Sequence, residues 1–480
     1  MGSISGKDYI DRLNRLDINL WCDGVKIKGK ISEHPAFKGI IQTTASLYDL
    51  QNDPSLKDKM TFNLTNKNES IGLSYMQPKT KTDLKRRRTM IEYWARHTCG
   101  MLGRSPDYMN TTIMSFAASA AILTGKDHCF PENIQSLYER AMEKDLSFTH
   151  TFITPQVNRS HINLGFSNEP ISARVIKKNK KGIIIKGARL LATQGGLTDE
   201  VLVYTAPRPF FNPDEAFAFS IPSDTDGLKF ICRESFVGGE STFNYPLSSR
   251  FEEMDSIIVF DHVLVPWEKV FFYDNVEMAT DFKEQSSYYP FAYHQVIIRQ
   301  IVKIEFIFGL AQLLVETINI DEYQHIQEKL SEIIIGIETM KALLEKSENN
   351  AELDEWGIMR PSLVPLQVAS NVFPRIYPRF SEIIQLIAAS GIVSLPTEND
   401  FDSLKSDLDM YLQGENRNAL DRVKLFRLAW DLTMSSFGTR QTQYERFFFG
   451  DPIRLSSYLY KSYPKEKNVK TVSTYLKLNK

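Results

Sequence analysis

The apolar residues of this chain change period twice, and that alternation limits the possible folds more than any single motif. Across residues 82–144 they recur at helical spacing. Asp83 precedes a basic run and a stripe of Met90, Tyr93, Trp94 and His97, and further helical stretches follow at 113–123 and 131–142. Between 171 and 272 the pattern shortens to β-rich runs at 173–176, 182–185, 200–204, 216–221, 228–232 and 256–265, split by turn residues. The Lys- and Asn-only stretch 177–181 reads as the charged loop of a hairpin. Long helices return at 295–318, 321–346, 375–390 and 417–437, with a stripe of Leu330, Ile334, Ile337, Met340 and Leu344. The order predicts an α+β protein with a mostly helical N-terminal domain over residues 1–149, a central β domain over 150–277 and a C-terminal helical bundle over 278–480.

Several classes are excluded early. A chain of 480 residues, 42% hydrophobic and 24% charged, has the makeup of a soluble globular protein with a large core. Its 57 basic and 59 acidic residues leave a net charge of −2, with no global field for nucleic acid. Lys85–Arg88 reads as a solvated helix face. No basic-then-apolar leader and no bilayer-length apolar run is visible, so a cytoplasmic protein without membrane association is expected. The four cysteines, Cys22, Cys99, Cys129 and Cys232, lie far apart without CxxC spacing, which suits a reducing compartment. No metal-ligand spacing, no GxGxxG after a strand, no GxxxxGK[ST] and no GxSxG is present.

The chemistry gathers in a few segments. In Gly103-Arg-Ser-Pro-Asp-Tyr-Met-Asn-Thr111, Arg104 and Tyr108 stand four apart around a Pro106-Asp107 turn, with Asp107 placed to cap the helix that follows. A guanidinium and a phenol at a helix mouth suit an anionic or phenolic oxygen. His150 sits where the helical and β blocks meet. It is either a neutral imidazole handling a proton beside a bound aromatic or a hydrogen-bonded interdomain histidine. Gln156-Val-Asn-Arg159 offers polar side chains to an anionic or heterocyclic ligand, and Thr193 precedes Gly195-Gly196, where a backbone can approach a planar ring. Phe437-Gly-Thr-Arg-Gln441 follows a helix and offers Arg440 and Gln441 to a phosphate. Capping or turn roles are the plainer alternatives for the last three segments. His294 reads as a packed residue opening a long helix.

Taken in order, these segments resemble the oxygenase component of the two-component flavin-dependent 4-hydroxyphenylacetate 3-monooxygenase family. The resemblance runs almost end to end. It takes in His34-Pro-Ala-Phe37, Leu47-Tyr-Asp-Leu50, residues 104–110, 146–160 and 191–203, Arg250-Phe-Glu-Glu-Met-Asp255, Val265-Pro-Trp267, and residues 294–311 and 437–452. It implies an acyl-CoA dehydrogenase-like fold, a homotetramer, and hydroxylation of a phenol ortho to its hydroxyl by reduced FAD and O2. The FADH2 would come from a separate NAD(P)H:flavin reductase through diffusing flavin. Arg104, Tyr108 and His150 would surround the phenol oxygen, with Thr205 and Ala206 lining the substrate pocket. His150, Thr151, Phe152, Gln156, Val157, Asn158, Arg159, Thr193, Gly438, Thr439, Arg440 and Gln441 would contact the flavin.

Two departures from the family pattern bear on the substrate and cofactor. The segment Pro207-Arg-Pro-Phe-Phe-Asn-Pro213 is short and Pro-rich, and its Arg208 either meets a carboxylate or faces solvent. The stretch Gln194-Gly195-Gly196 differs from the commoner family sequence. Two other enzymes share the implied fold. A 4-hydroxybutyryl-CoA dehydratase-like lyase would need a three-cysteine, one-histidine iron–sulfur site. Cys99 and His294 would supply two ligands, but Gly103 stands where a second cysteine would follow, and no thiol lies near Ile301. An acyl-CoA dehydrogenase would need a catalytic carboxylate that nothing picks out. A non-catalytic binding or scaffold role is the remaining alternative, and the Arg104, Tyr108 and His150 set argues against it.

Overall fold

The computed structural model describes residues 2–64, 70–155, 171–205 and 212–478. Two sheets form its centre. The larger runs, edge to edge, through Val25–Lys26, Leu20–Cys22, Leu228–Cys232, Asp255–Pro266, Gly182–Thr193 and Arg174–Asn179. The smaller runs through Val270–Tyr273, Phe217–Pro222, Glu200–Tyr204 and Phe148–Thr151. Leu20–Cys22 pairs in parallel with Leu228–Cys232, so the N-terminal block, expected to be mostly helical, also extends the large sheet. The strand expected at 182–185 continues to Thr193, because its partner Asp255–Pro266 offers a ladder along its whole length. Lys177 and Lys178 lie within the edge strand Arg174–Asn179 and not in a loop. Their side chains are exposed, and lysines on an edge discourage pairing with another chain.

The small sheet is buried on both faces, and period-2 alternation decides what each face meets. Val201 and Val203 join the core between the sheets, where Phe219 meets Phe260 edge to face at 6.3 Å. Leu202 and Tyr204 turn the other way, toward the helices. Parallel pairing puts His150 opposite Leu202, on that helix-facing side. Thr149 and Thr151 face the large sheet, where their hydroxyls donate to the carbonyls of Thr193 at 2.7 Å and Leu190 at 2.9 Å.

Helices close over this face. Lys81–His97 and Pro106–Ala118 pack against Tyr288–Thr317, which also packs on Gln324–Asn349 and Leu363–Ala388. The helix expected at 375–390 starts twelve residues earlier and carries Pro374 and Pro378 in its interior. Prolines break isolated helices; here Phe373, Tyr377, Phe380 and Ile384 are fully buried in the bundle, and packing outweighs the lost backbone bonds. The helix expected over 417–437 is two, Ala419–Thr433 and Ser436–Phe447, broken where Ser435 accepts from the Gly438 amide at 3.0 Å. A buried charge cluster ties the second of these to the bundle. Glu445 accepts from Arg299 at 2.5 and 2.9 Å, from Lys303 at 2.8 Å and from Gln300 at 3.2 Å. Among the described residues, no helix is long and apolar enough to cross a membrane.

Candidate active site

Glu253 holds the turn that presents Arg104. Its carboxylate accepts from the amides of Gly103 at 2.8 Å and Arg104 at 2.7 Å, and from Gln194 Nε2 at 3.2 Å. A Cβ on Gly103 would stand 2.2 Å from the Tyr444 ring, so only glycine allows the chain this close to that aromatic. Ser105 is the N-cap of Pro106–Ala118 and Pro106 its first residue, so Asp107 is not the cap that was expected. Asp107 is buried in the first turn, where it accepts from Ser105 Oγ and from Gln295 Nε2, the latter at 3.0 Å. Burial raises its carboxyl pKa despite those donors.

This geometry brings the predicted pair together. The Arg104 guanidinium lies 4.5 Å from the Tyr108 ring centroid, 4.3 Å from that of Phe448 and 5.7 Å from that of Tyr444. Desolvation opposes its charge, but Tyr444, Tyr108, Tyr288 and Glu253 outweigh it and raise the pKa. The cation stands among π faces, an arrangement worth roughly 0.5–2 kcal/mol per desolvated pair. The Tyr108 hydroxyl meets that of Tyr288 at 3.1 Å.

His150 joins the same cluster from the small sheet. Its ring meets Tyr108 edge-on at 5.7 Å, and Nδ1 lies 3.1 Å from the Tyr204 hydroxyl. Burial, then Arg104 and Lys283, push its pKa well below the usual histidine value, so the imidazole is neutral. Its Nε2 has no hydrogen-bond partner among the described residues. Phe152 stacks on Tyr204 at 5.3 Å with the rings nearly parallel.

Two of the proposed flavin contacts, Thr193 and Arg440, meet on Asp255. Thr193 Oγ1 donates to it at 2.7 Å, Arg440 Nη2 and Nε reach it at 2.8 and 3.0 Å, and Arg233 Nε lies at 3.1 Å. Arg440 first and Arg233 after it overcome desolvation and hold the Asp255 carboxyl down at about 2. Arg440 is therefore paired within the chain through Nε and Nη2. Its Nη1 lies 3.5 Å from Glu253 Oε2.

Gln441 is likewise committed, accepting from Lys303 at 2.6 Å and donating to the Met101 carbonyl at 3.2 Å. Gly438 lies inside the first turn of its helix, with no break there. The two glycines after Gln194 also have an internal cause. A Cβ on Gly195 would meet Ser256 Oγ at 2.1 Å, and Gly196, at φ +83°, would meet Leu20 at 2.6 Å. Close packing on the large sheet requires them.

Thr205 is buried and donates to the Glu215 carbonyl at 2.7 Å. Gln156, Val157, Asn158, Arg159, Ala206 and Arg208 lie outside the described residues. His294 sits in the second turn of Tyr288–Thr317 and meets Glu348 at 2.9 Å. No group of three or more His, Cys, Asp or Glu is arranged for a metal among the described residues.

Sequence reasoning gave no role to Tyr204, Tyr288, Glu253, Asp255, Tyr444 or Phe448. One signal was present: three acids in Glu252-Glu253-Met-Asp255 immediately before a β run, a place where carboxylates are depleted unless they have partners.

Comparison with known proteins agrees with the architecture at two levels. An archaeal 4-hydroxybutyryl-CoA dehydratase from N. maritimus, 18% identical, superposes with a TM-score of 0.88 over 100% of this chain and 96% of its own, which shows that the two share one fold. Residues 5–272 match the family model described as 4-hydroxyphenylacetate 3-hydroxylase N terminal, and residues 279–477 the one described as its C terminal. This chain belongs to the 4-hydroxyphenylacetate 3-hydroxylase family.

A protein of Bacillus subtilis (strain 168) named "Probable 4-hydroxyphenylacetate 3-monooxygenase" is 67% identical over 99% of both chains. The 4-hydroxyphenylacetate 3-monooxygenase oxygenase component of Thermus thermophilus is 43% identical over 98% of this chain and 97% of its own. A crystal structure of the oxygenase component (HpaB) complexed with FAD and 4-hydroxyphenylacetate superposes with a TM-score of 0.95 at 43% identity, covering 99% of this chain and 98% of that one.

Proposed function

We propose that this chain is the oxygenase component of a two-component flavin-dependent aromatic monooxygenase. It would use reduced FAD and O2 to hydroxylate a phenol ortho to its hydroxyl, with 4-hydroxyphenylacetate or a close relative as substrate. The observation that carries the reading is the buried meeting of Arg104, Tyr108 and His150 in one aromatic cluster. A phenol oxygen placed there faces a fixed positive charge, a hydroxyl donor and a neutral imidazole able to take or give its proton. These groups stabilise phenolate character, and phenolate character makes the ortho carbon electron-rich. Tyr204 and Tyr288 orient the imidazole and the Tyr108 hydroxyl. Phe448 and Phe152 shield the cluster from water.

The residues present also suit a flavin. Arg104 Nε, Arg440 Nη1 and the Tyr444 hydroxyl are buried polar atoms without a hydrogen-bond partner among the described residues, and the Arg104 and Arg440 guanidinia lie 5.7 and 4.2 Å from the Tyr444 ring centroid. Orphaned buried donors are costly, and a polar ring edge brought among them would satisfy them. We assign Thr151, Phe152, Thr193, Thr439 and Arg440 to that side of the site. Bound reduced FAD supplies the electrons that activate O2.

The FADH2 comes from a separate NAD(P)H:flavin reductase, by diffusion. The chain assembles as a homotetramer. Exposed Ile453, Tyr460, Val469 and Tyr475 on the C-terminal helices Pro452–Ser462 and Glu466–Tyr475 offer apolar surface for that assembly.

The test mixes purified protein with FAD, NADH, an NADH:flavin reductase and a panel of phenols, and follows catechols by mass. Catechol should form only when the reductase is present. Turnover with NADH and FAD alone, or no catechol from any phenol, refutes the reading. Colour separates the alternatives on this fold: yellow protein marks a tight-flavin dehydrogenase and brown an iron–sulfur lyase.

A further inference from the structure

Two buried tyrosines stand behind the groups that would meet the phenol, and packing alone does not call for their hydroxyls. Tyr204 ends the strand Glu200–Tyr204, and Tyr288 opens the helix Tyr288–Thr317. They are 4% and 6% exposed. The Tyr204 ring stacks on Phe152 at 5.3 Å, and the Tyr288 ring packs on Phe116 at 5.3 Å. A phenylalanine at either position would keep those contacts without burying a hydroxyl, which is destabilising unless hydrogen-bonded.

The hydroxyls are joined end to end. Tyr108 Oη meets Tyr288 Oη at 3.1 Å, Tyr288 also partners the Tyr204 hydroxyl, and Tyr204 Oη lies 3.1 Å from His150 Nδ1. The chain therefore begins and ends on two of the groups assigned to the phenol oxygen. Burial keeps Tyr204 and Tyr288 protonated and His150 neutral.

Proton counting fixes what the two ends present. Each hydroxyl and the neutral imidazole carries one proton, and each junction uses one donor and one acceptor. When the chain runs from Tyr108 toward His150, Nδ1 accepts, Nε2 carries the proton and Tyr108 is left as an acceptor. When it runs the other way, Nδ1 donates, Nε2 is left as the acceptor and Tyr108 donates. In both senses one end donates while the other accepts. A phenol hydroxyl, itself one donor and one acceptor, closes the circuit.

We propose that Tyr204 and Tyr288 are positioning residues of the hydroxylation, joining Tyr108 and His150 into one hydrogen-bonded relay that ionises the phenol. This rests on the monooxygenase reading and adds how its phenol is activated. With the chain in the second sense, the phenol O–H bond breaks and an Nε2–H bond forms, the electron pair staying on the phenol oxygen. Tyr204 then accepts from Nδ1 of the imidazolium, steadying it as a partner on the far nitrogen does for other catalytic imidazoles. Tyr288 donates to Tyr108 and so turns the Tyr108 proton toward the new phenolate, beside Arg104.

Tyr204→Phe, Tyr288→Phe and the double variant test this in the full-length protein with a flavin reductase, FAD and 4-hydroxyphenylacetate, following catechol, peroxide and melting temperature. Loss of a neutral hydrogen bond behind the reacting group corresponds to about a 10-fold change. Each single variant should lower kcat for catechol by about that factor, leave KM within about threefold and divert oxygen to peroxide. Residues acting as one unit are not additive, so the double variant should fall no further than the singles.

Two further arms bypass the relay. A phenol ionises in solution near about pH 10, so the variant-to-wild-type ratio of catechol formation should climb toward one between about pH 7 and about pH 9. Arg104, Lys283, Tyr108 and Tyr289 face the chain. Lys283, lowered to about 7 by burial and then Arg454, titrates in wild type and variants alike and cancels in that ratio. The more acidic 3-fluoro-4-hydroxyphenylacetate should likewise restore the variants more than the wild type.

Losses that multiply in the double variant, or single variants with wild-type kcat and catechol-to-peroxide ratio, overturn the relay and leave the hydroxylation reading intact. If a variant does not fold, the wild type decides alone. Catechol formation at saturating phenol that rises roughly tenfold per pH unit above about pH 8, tracking ionisation in solution, overturns the relay, and a level rate supports it. Failure of the wild type to hydroxylate either phenol overturns both.

Discussion

Replacing Glu253 with glutamine would isolate the clamp that shapes the site. The carboxylate is 1% exposed and accepts two backbone amides, Gly103 N at 2.8 Å and Arg104 N at 2.7 Å. Hydrogen bonds to a buried charge contribute about 1.5–3 kcal/mol each, and neutral ones about 1 kcal/mol. A glutamine keeps one oxygen for one amide and turns an NH2 group toward the other. One charged bond is then lost and the second falls to a neutral one, a deficit of about 3 kcal/mol. If the turn opens locally, that deficit appears as phenol binding weakened by roughly 100-fold. If it stays closed, the deficit appears as a lower melting temperature. Titrating the phenol into Glu253→Gln and melting the same sample measures both. Phenol affinity within twofold of wild type together with an unchanged melting temperature would refute the clamp.

Arg104→Ala and Tyr108→Phe should weaken phenol use more than reduced-flavin binding, since both face the His150 cluster; equal losses in the two titrations would misplace the phenol. His150→Ala should still consume oxygen with reduced FAD but release hydrogen peroxide in place of catechol, with hydroxylation down roughly 10²–10⁴-fold. An unchanged catechol-to-peroxide ratio would sink that role. Because burial, Arg104 and Lys283 keep His150 neutral well below its ordinary range, the wild-type rate should show no inflection near pH 6.5 that His150→Ala removes. Glu445→Ala strands Arg299 and Lys303, which are 1% and 0% exposed at their side chains, and should cost about 3–5 kcal/mol in thermal or denaturant unfolding. A loss under about 1 kcal/mol would show that the cluster relaxes to water.

The sequence by itself determined the helical, β and helical order, because periods of 3.6 and 2 residues are local properties of the chain. It also set Arg104 beside Tyr108, whose four-residue spacing around Pro106 is local too. Its ordered motifs pointed to the family. Tertiary structure decided what each side chain was free to do. Arg440 and Thr193 meet on Asp255, more than sixty residues from Thr193 and almost two hundred from Arg440 along the chain, and no spacing rule predicts that pairing. Asp107 lost its capping role because Pro106 starts the helix two residues early and Gln295 reaches across from another helix. The prolines at 374 and 378 remain within one helix because the bundle buries it, a force absent from local propensity. His150 is neutral only because the small sheet turns it into a desolvated cluster beside a fixed cation. Local chemistry names the candidate groups; burial and long-range pairing set their charge, their freedom and their partners.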